Sequence, residues 1–355
     1  MQGMQMQISD IPSQPIPMIR RTLLIALPLL LLVNGVIWSV FALDSARQRQ
    51  AWISQAEADI DASILTVEQL RNDLYGDIRL LSNSPNLLAV LDDASEPRLL
   101  DLTAEWEIFA SIKRRYDQIR WLDAQGRERL RVNLTASGAL RVSEESLQDK
   151  SFRYYFHDAM ALKPGQVYAS QIDLNMENGV IERPFKPMLR LAVALNDSHG
   201  RPRGLLLINV LAKYLIDSVV NPGSLRHSRM LLLDHSGYYL RGFEQDQAWG
   251  FMLRDADDAY HRFDKAYPEV WRRMVRDGSG RIDDAEGLFV YRTIRYGSEG
   301  VGHRYILVQA LTASERSALT IRQRNTWLLA SLVVSLALAA MAFALARCRL
   351  SRQPG

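Results

Sequence analysis

One cysteine, Cys348, stands in a chain of 355 residues. No disulfide can form within the chain, and no cysteine-based zinc site exists. A folded body must therefore be held by its core alone, and the length is ample for that. The six histidines, at 157, 199, 227, 235, 261 and 303, are scattered, and no two have zinc-ligand spacing. No phosphate-cradling glycine loop is present: the stretch Gly297–Gly302 reads as a hairpin and lacks the lysine. Gly278-Ser279-Gly280 lacks the nucleophile-elbow pattern. His157-Asp158 looks like a general-base pair, but neighbours on a helix point in different directions. The expectation is a protein that is not an enzyme and needs no metal or cofactor.

Charge is missing from two stretches. Residues 22–43 and 325–346 hold no charged side chain. Each run is 22 residues long, and about 20 suffice to cross a bilayer. Between them, residues 44–326 carry 38 basic and 39 acidic residues. That balance excludes the clustered basic surface of a nucleic-acid binder. Arg20 and Arg21 precede the first run, and Arg347, Arg349 and Arg352 follow the second. Both ends then read as cytoplasmic, with a loop of about 280 residues outside. Arg47, Arg49, Arg322 and Arg324 flank the other side, so the inverted topology stays as the alternative. The apolar stretch Leu23–Leu43 exceeds the h-region of a cleaved signal and reads as an uncleaved anchor. Cys348, beside the second run, is either a lipidation site or an inert thiol.

After the first span, a long helix is predicted from about Ser45 to Ser82, without proline. Ile60, Ile64, Val67, Leu70, Leu74, Ile78 and Leu81 recur with a period of 3.5. Such a seam suits a partner helix, hence a homodimer, or the edge of a domain. Ser84-Pro85 breaks the rod, and a shorter amphipathic helix follows from Pro97 to about Lys113. Strands are predicted at Tyr116–Leu122 and Glu128–Leu134, joined by Asp123-Ala124-Gln125-Gly126. The device returns 111 residues later: Arg229–Leu233 and Tyr238–Arg241 flank Asp234-His235-Ser236-Gly237. Aspartate first and glycine fourth fit a type I turn. Each hairpin is followed by a mixed segment and a second strand pair, Met188–Leu195 with Gly204–Leu211 and Leu288–Tyr296 with Arg304–Leu311. This is a weak internal duplication of an α/β module. A helix starting at Thr312, with Glu315 at capping-box spacing, is expected to run into the second span.

Several motifs occur in order: Tyr116–Asp123 through Arg129–Asn133, Lys150-Ser151-Phe152-Arg153-Tyr154-Tyr155-Phe156, Val167–Ser170, Asp173-Leu174-Asn175 and Pro184–Arg190. Together they resemble the double-Cache (tandem PAS-like) sensory ectodomains of bacterial histidine kinases and diguanylate cyclases, over about residues 45–325. The resemblance implies an α+β fold: a long N-terminal helix followed by two PAS-like (Cache) modules with antiparallel sheets, flanked by two transmembrane helices. The expected organisation is a cytoplasmic tail (1–21), first span (22–43), periplasmic stalk helix (44–84), membrane-distal module (85–215), membrane-proximal module (216–311), linker helix (312–324), second span (325–346) and cytoplasmic tail (347–355).

Arg153-x-Tyr155-Phe156-x-x-Ala159 resembles the element that holds the ligand carboxylate in amino-acid-binding members of that family. A guanidinium is a planar fork matched to a carboxylate. Tyr168 matches a further pocket tyrosine. Where the family has an aspartate for the ligand's amine, this chain has Ser170, with Asp173 three residues on. Lys186 and Arg190 add positive charge nearby. The ligand-binding candidates are thus Arg153, Tyr155, Phe156, Tyr168, Ser170, Asp173, Lys186 and Arg190, for a small anionic or carboxylate solute. The plainer alternatives are an ion pair of Arg153 with Asp149 or Asp158, and core packing for Tyr154, Tyr155 and Phe156. Trp249-Gly250-Phe251-Met252 and Trp271 are expected to pack the second module.

The expected function is an inner-membrane sensor with a periplasmic solute-binding domain, in two-component or cyclic di-GMP signalling. Nine residues follow the second span, so output is expected to pass in trans to a separate signalling protein. The rivals are a ligand-free scaffold subunit and a truncated receptor.

Overall fold

The computed structural model describes residues 16–163, 165–177, 179–219, 229–253, 259–298 and 301–350. Residues 1–15 and 351–355 of the expected tails, His227 and the side chain of Cys348 lie outside the described residues. The chain forms two units: residues up to Trp52 together with those from Ser314, and Ile53–Ala313.

The chain opens with α1 (Ile16–Ser82), α2 (Pro85–Asp92) and α3 (Glu96–Lys113). Then come β1 (Tyr116–Leu122), β2 (Glu128–Thr135), β3 (Gly138–Arg141), α4 (Tyr154–Met160), β4 (Tyr168–Ala169), β5 (Asp173–Leu174), β6 (Met176–Glu177) and β7 (Val180–Ile181). They are followed by β8 (Pro187–Asn196), β9 (Pro202–Leu211) and α5 (Lys213–Val219). The last part holds β10 (Arg229–Asp234), β11 (Tyr239–Arg241), α6 (Phe263–Ala266), α7 (Pro268–Asp277), β12 (Ser279–Asp283), β13 (Gly287–Ser298), β14 (Val301–Thr312) and α8 (Ala313–Leu350).

Two antiparallel sheets share one plan. The first runs β3-β2-β1-β9-β8-β4, with β5 also on β8; the second runs β11-β10-β14-β13-β12. Counted within each sheet, and setting aside the extra strands β3 and β5, both place their strands in the order second, first, fifth, fourth, third. The duplication read from two hairpins is therefore a duplication of topology. Three Asp-x-x-Gly turns support it. In each, the aspartate Oδ1 accepts two backbone amides: those of Gln125 and Arg127 on Asp123, of His199 and Arg201 on Asp197, and of Ser236 and Tyr238 on Asp234. Gly126, Gly200 and Gly237 all take positive φ, the left-handed conformation that only glycine adopts without cost.

The seam on α1 packs inside this chain. Ile60, Val67, Leu74, Ile78 and Leu81 are each at most 5% exposed. This corrects the dimer reading of that seam: its apolar surface is already covered by the chain's own fold, which is the domain-edge alternative. Asp77 on α1 fastens the region further, accepting from the Tyr116 hydroxyl and pairing with Lys113 at 2.9 Å and Arg115 at 3.1 Å. Tyr116 also stacks on Phe109 of α3, with centroids 5.5 Å apart. Ser84-Pro85 does more than end α1. The Ser84 hydroxyl accepts from the Leu87 amide at 3.1 Å and caps α2, a helix the sequence pattern did not announce.

The second sheet buries an aromatic core under α6 and α7. Tyr239, Phe263, Phe289 and Tyr291 are at most 1% exposed there, with Phe243, Tyr267 and Trp271 packed against them. Trp271 thus packs the second module, as expected.

In the other unit, α1 and α8 each contain a stretch long and apolar enough to cross a membrane. They meet through Phe41 and Trp327, 6.2 Å apart, and through Gln323 Nε2 donating to Asp44 Oδ2 at 2.9 Å. Between the apolar faces, Asn34 Nδ2 donates to Ser335 Oγ at 3.1 Å, and Ser331 Oγ donates to Asn34 Oδ1.

Two predictions follow from packing. Gly204 has φ +103°, and a Cβ there would lie 1.9 Å from the Leu122 carbonyl oxygen. Gly204→Ala should therefore cost more than about 2 kcal/mol, read as a lower melting temperature; an unchanged melting point would contradict the strand packing. Asn34→Leu should weaken the pairing of the two apolar helices by about 0.6–1.7 kcal/mol. The readout is disulfide yield between Phe41→Cys and Trp327→Cys in a Cys348→Ser background, which should fall.

Candidate functional site

Cross-strand pairing decides which side chains share a face of the first sheet. Gln118 on β1 lies opposite Asn133 on β2 and Asn209 on β9. Asn209 in turn lies opposite Arg190 on β8. One step along the strands, Arg131, Arg120, Leu207, Ala192 and Tyr168 make a parallel row. Helix α4 covers this face, with Tyr155, Phe156 and Ala159 packed on Leu122, Tyr168, Ala192, Leu205 and Leu207.

Arg190 sits at the centre and is 2% exposed. Its Nη1 donates to Asp173 Oδ1 at 2.5 Å, and its guanidinium stands 5.2 Å from the Tyr155 ring centroid. Burial disfavours its charge, but Asp173, Tyr154 and Tyr155 together more than offset that and raise its proton affinity. Asp173 is shared: its other oxygen accepts from the Tyr154 hydroxyl at 3.0 Å. Burial and the Asp173 charge push the Tyr154 phenol well above its ordinary range, so it remains a donor. Ser170 is fully buried and bound to the backbone. Its amide donates to the Arg190 carbonyl, and its Oγ accepts from the Arg190 amide at 3.0 Å and donates to the Gln171 carbonyl at 2.7 Å. Its hydroxyl thus aligns β4 with β8.

Arg153 precedes α4 at its N-cap, half-buried, with its guanidinium 5.6 Å from the same Tyr155 ring. Two cations on one ring are worth about 0.5–2 kcal/mol each. Neither expected partner pairs with Arg153 among the described residues: Asp149 accepts from the Ser151 amide, and Asp158 from the Tyr168 hydroxyl at 3.3 Å. Burial, then the Tyr154 and Asp158 charges, raise the Tyr168 phenol too.

Lys186 is not brought to this ring. It pairs with Asp117 at 2.6 Å and Glu182 at 3.4 Å. Burial pulls its proton affinity down, but Asp117 and Glu182 raise it by more. The arrangement includes residues not among the candidates. Lys150 is half-buried in the field of Arg120, Glu128 and Arg153, and burial together with Arg120 lowers its pKa. Glu128 bridges Arg120 at 3.3 Å and Arg131 at 2.9 Å, and also accepts from the Gln148 amide at 3.0 Å. Lys150 lay within a motif already noted. Gln118 and Arg120 also lay within a noted motif, but only strand register places Gln118 beside Asn209 and Arg120 on the same face.

The arrangement offers a sheet floor, an aromatic wall and a half-buried guanidinium without a carboxylate partner among the described residues. That combination suits a small anion held edge-on to Arg153.

Comparison with known proteins gives this geometry a context. The family model for the sensor domain of bacterial histidine kinases matches residues 50–308. No curated protein matches the chain. Among solved structures, the chain is similar to a domain of a sensory box/GGDEF family protein from Vibrio parahaemolyticus: 26% identity, TM-score 0.64, covering 74% of this chain and 98% of that one. It is also similar to the extracellular domain of a histidine kinase, at 24% identity and TM-score 0.66, over 76% of this chain and 98% of that one. A methyl-accepting chemotaxis protein shares the fold at 12% identity and TM-score 0.52, over 75% and 99% of the two chains.

The buried Arg190–Asp173 pair yields a direct prediction. Asp173→Asn leaves a buried guanidinium without a counter-charge and should cost about 3–5 kcal/mol. Arg190→Met in the same chain should recover most of that loss. Equal destabilisation by the single and double variants, measured by denaturant unfolding, would show that the pair is not coupled.

Proposed function

The chain belongs to the family of bacterial histidine kinase sensor domains, and from that premise we propose that it is a membrane-anchored sensor that binds a small carboxylate at Arg153, Tyr155 and Arg190. A sensor domain of this kind is not catalytic by itself, and two apolar helices flank it here. The observation that carries the ligand reading is the Arg153 guanidinium: half-buried, stacked on Tyr155, and without a carboxylate partner among the described residues. A carboxylate would supply the missing counter-charge with two parallel hydrogen bonds. Phe156 and Tyr168 form the apolar wall, Ser170 and Asp173 set the position of Arg190, and Lys186 contributes only long-range charge. The second sheet's equivalent face is filled by its own aromatic side chains, which favours a single site on the first sheet.

Transmission would use the segment that carries Asp173. The Ile172 amide donates to the Tyr305 hydroxyl at 2.9 Å, and the Leu174 amide to Met252 Sδ at 3.0 Å. Tyr305 is on β14, the strand that ends at Thr312, one residue before α8 begins. Ligand binding would favour one of two arrangements of this segment, to the extent that it binds the two differently. The domain would face the periplasm of a two-span inner-membrane protein with both termini in the cytoplasm. A homodimer would use the outer helical surface, where Leu65, Leu80, Ile108 and Ile112 are exposed. A separate signalling protein, a kinase or a cyclase, would read the change in trans.

The test uses the full chain in detergent micelles. A panel of small carboxylates should contain members that raise its melting temperature; a ligand at a hundred times its Kd adds about 2.7 kcal/mol. Arg153→Ala and Arg153→Met should fold, melt near the parent and lose that rise. An undiminished rise in both variants would contradict the site.

A further inference from the structure

Asn209 is fully buried on the face covered by α4, directly across from Arg190. Its Nδ2 donates to Gln118 Oε1 at 3.2 Å. Its Oδ1 is buried and meets no donor among the described residues, and Asn133 Oδ1, on the far side of Gln118, is in the same condition. A buried acceptor left unmade is costly, so two in one row mark a place where a donor is wanted. Both stand on the row that ends at Arg190, and Arg190 and Arg153 flank the same Tyr155 ring. A solute seated beside Arg190 would stand next to Asn209 on the neighbouring strand and would supply that donor.

The charge of that donor can be argued as well. Every carboxylate around the site already has donors. Asp173 serves Arg190 and Tyr154, Glu128 serves Arg120, Arg131 and the Gln148 amide, Asp158 serves Tyr168, and Glu177 serves Asn175 at 3.2 Å. The acceptors left over are neutral amide oxygens, among Arg120, Arg131, Lys150, Arg153 and Arg190. An ammonium entering there would lose hydration without gaining an uncommitted anion, beside like charges. A hydroxyl brings a donor without a charge.

We infer that the ligand is a small hydroxycarboxylate, its carboxylate on Arg153 and its hydroxyl donating to Asn209 Oδ1. This rests on the carboxylate reading of the site and adds Asn209 as the residue that selects the substituent next to the carboxylate. Ser170 fits the same selection: it carries no charge, and its hydroxyl is engaged with the Arg190 and Gln171 backbone groups.

Matched trios of probes test this on the full chain in micelles: glycolate, glycine and acetate; L-lactate, L-alanine and propionate; L-malate, L-aspartate and succinate. In at least one trio, the hydroxy acid should bind tenfold or more tightly than both partners, read from the concentration dependence of the melting temperature. Asn209→Leu should erase the advantage of the hydroxy acid over the unsubstituted acid. Asn209→Asp, which places an anion in the row, should move the preference toward the amino acid. Amino acids binding as well as or better than hydroxy acids would overturn the inference and leave the carboxylate site standing. A hydroxy-acid preference unchanged in both Asn209 variants would overturn the role of Asn209. Silence from all nine probes, with the protein folded, would remove the carboxylate reading and this inference with it.

Discussion

A buried ion pair organises this domain. Arg190 and Asp173 lie 2.5 Å apart, 2% and 6% exposed, on strands of the same sheet. Neither charge is tolerable there alone, so the pair fixes the short strand β5 against β8, and the Tyr154 hydroxyl and Tyr155 ring close over it. What remains after that mutual neutralisation defines the site: Arg153, with no carboxylate partner among the described residues, and a row of neutral amides across the sheet. Under the proposed function, a solute would bring the complement of those leftovers.

The two sheets share a strand order but differ in what fills the face under their helices. In the first, polar residues from four strands lie beneath one short helix. In the second, Phe263, Phe289, Tyr239 and Tyr267 pack against one another, mostly edge to face, and fill the face with aromatic side chains. Duplicated topology thus divides into one face lined by polar side chains and one filled by aromatic packing. The Ile172–Tyr305 hydrogen bond joins them next to Asp173, so a change at the first has a short path into β14.

Much of the architecture was legible in the sequence because its signals are local. The two charge-free runs, the proline-free seam of α1 and the Asp-x-x-Gly turns each announce themselves within a few residues. The strands of both hairpins and of the second strand pairs fall within a few residues of their expected bounds. Strands β3 to β7 and β12 were not legible: two to five residues long, they offer no apolar run to count. A third Asp-x-x-Gly turn, at Asp197, went unremarked because its flanking strands were read through a longer connection. The seam left two partners open, another helix or the edge of a domain, for a different reason. Periodicity states that one face of a helix is covered, not by what, and here the covering is the chain's own core. The site was legible at Arg153 and Tyr155, whose spacing is local. Gln118, Asn209 and Arg190 come together only through the β1–β9–β8 register, and no motif spans 72 residues of intervening fold (118 to 190).

The central claim is that a solute is held between α4 and the first sheet. Hydrogen exchange on the full chain, with and without the carboxylate that gives the largest thermal shift, tests it most directly. The account predicts slower exchange in Tyr154–Met160, at Tyr168–Leu174 and along Pro187–Asn196, extending to Val301–Thr312, with Phe263–Asp277 unchanged. Protection confined to Phe263–Asp277, with α4 and β8 exchanging as before, would place the ligand on the second sheet and contradict the account.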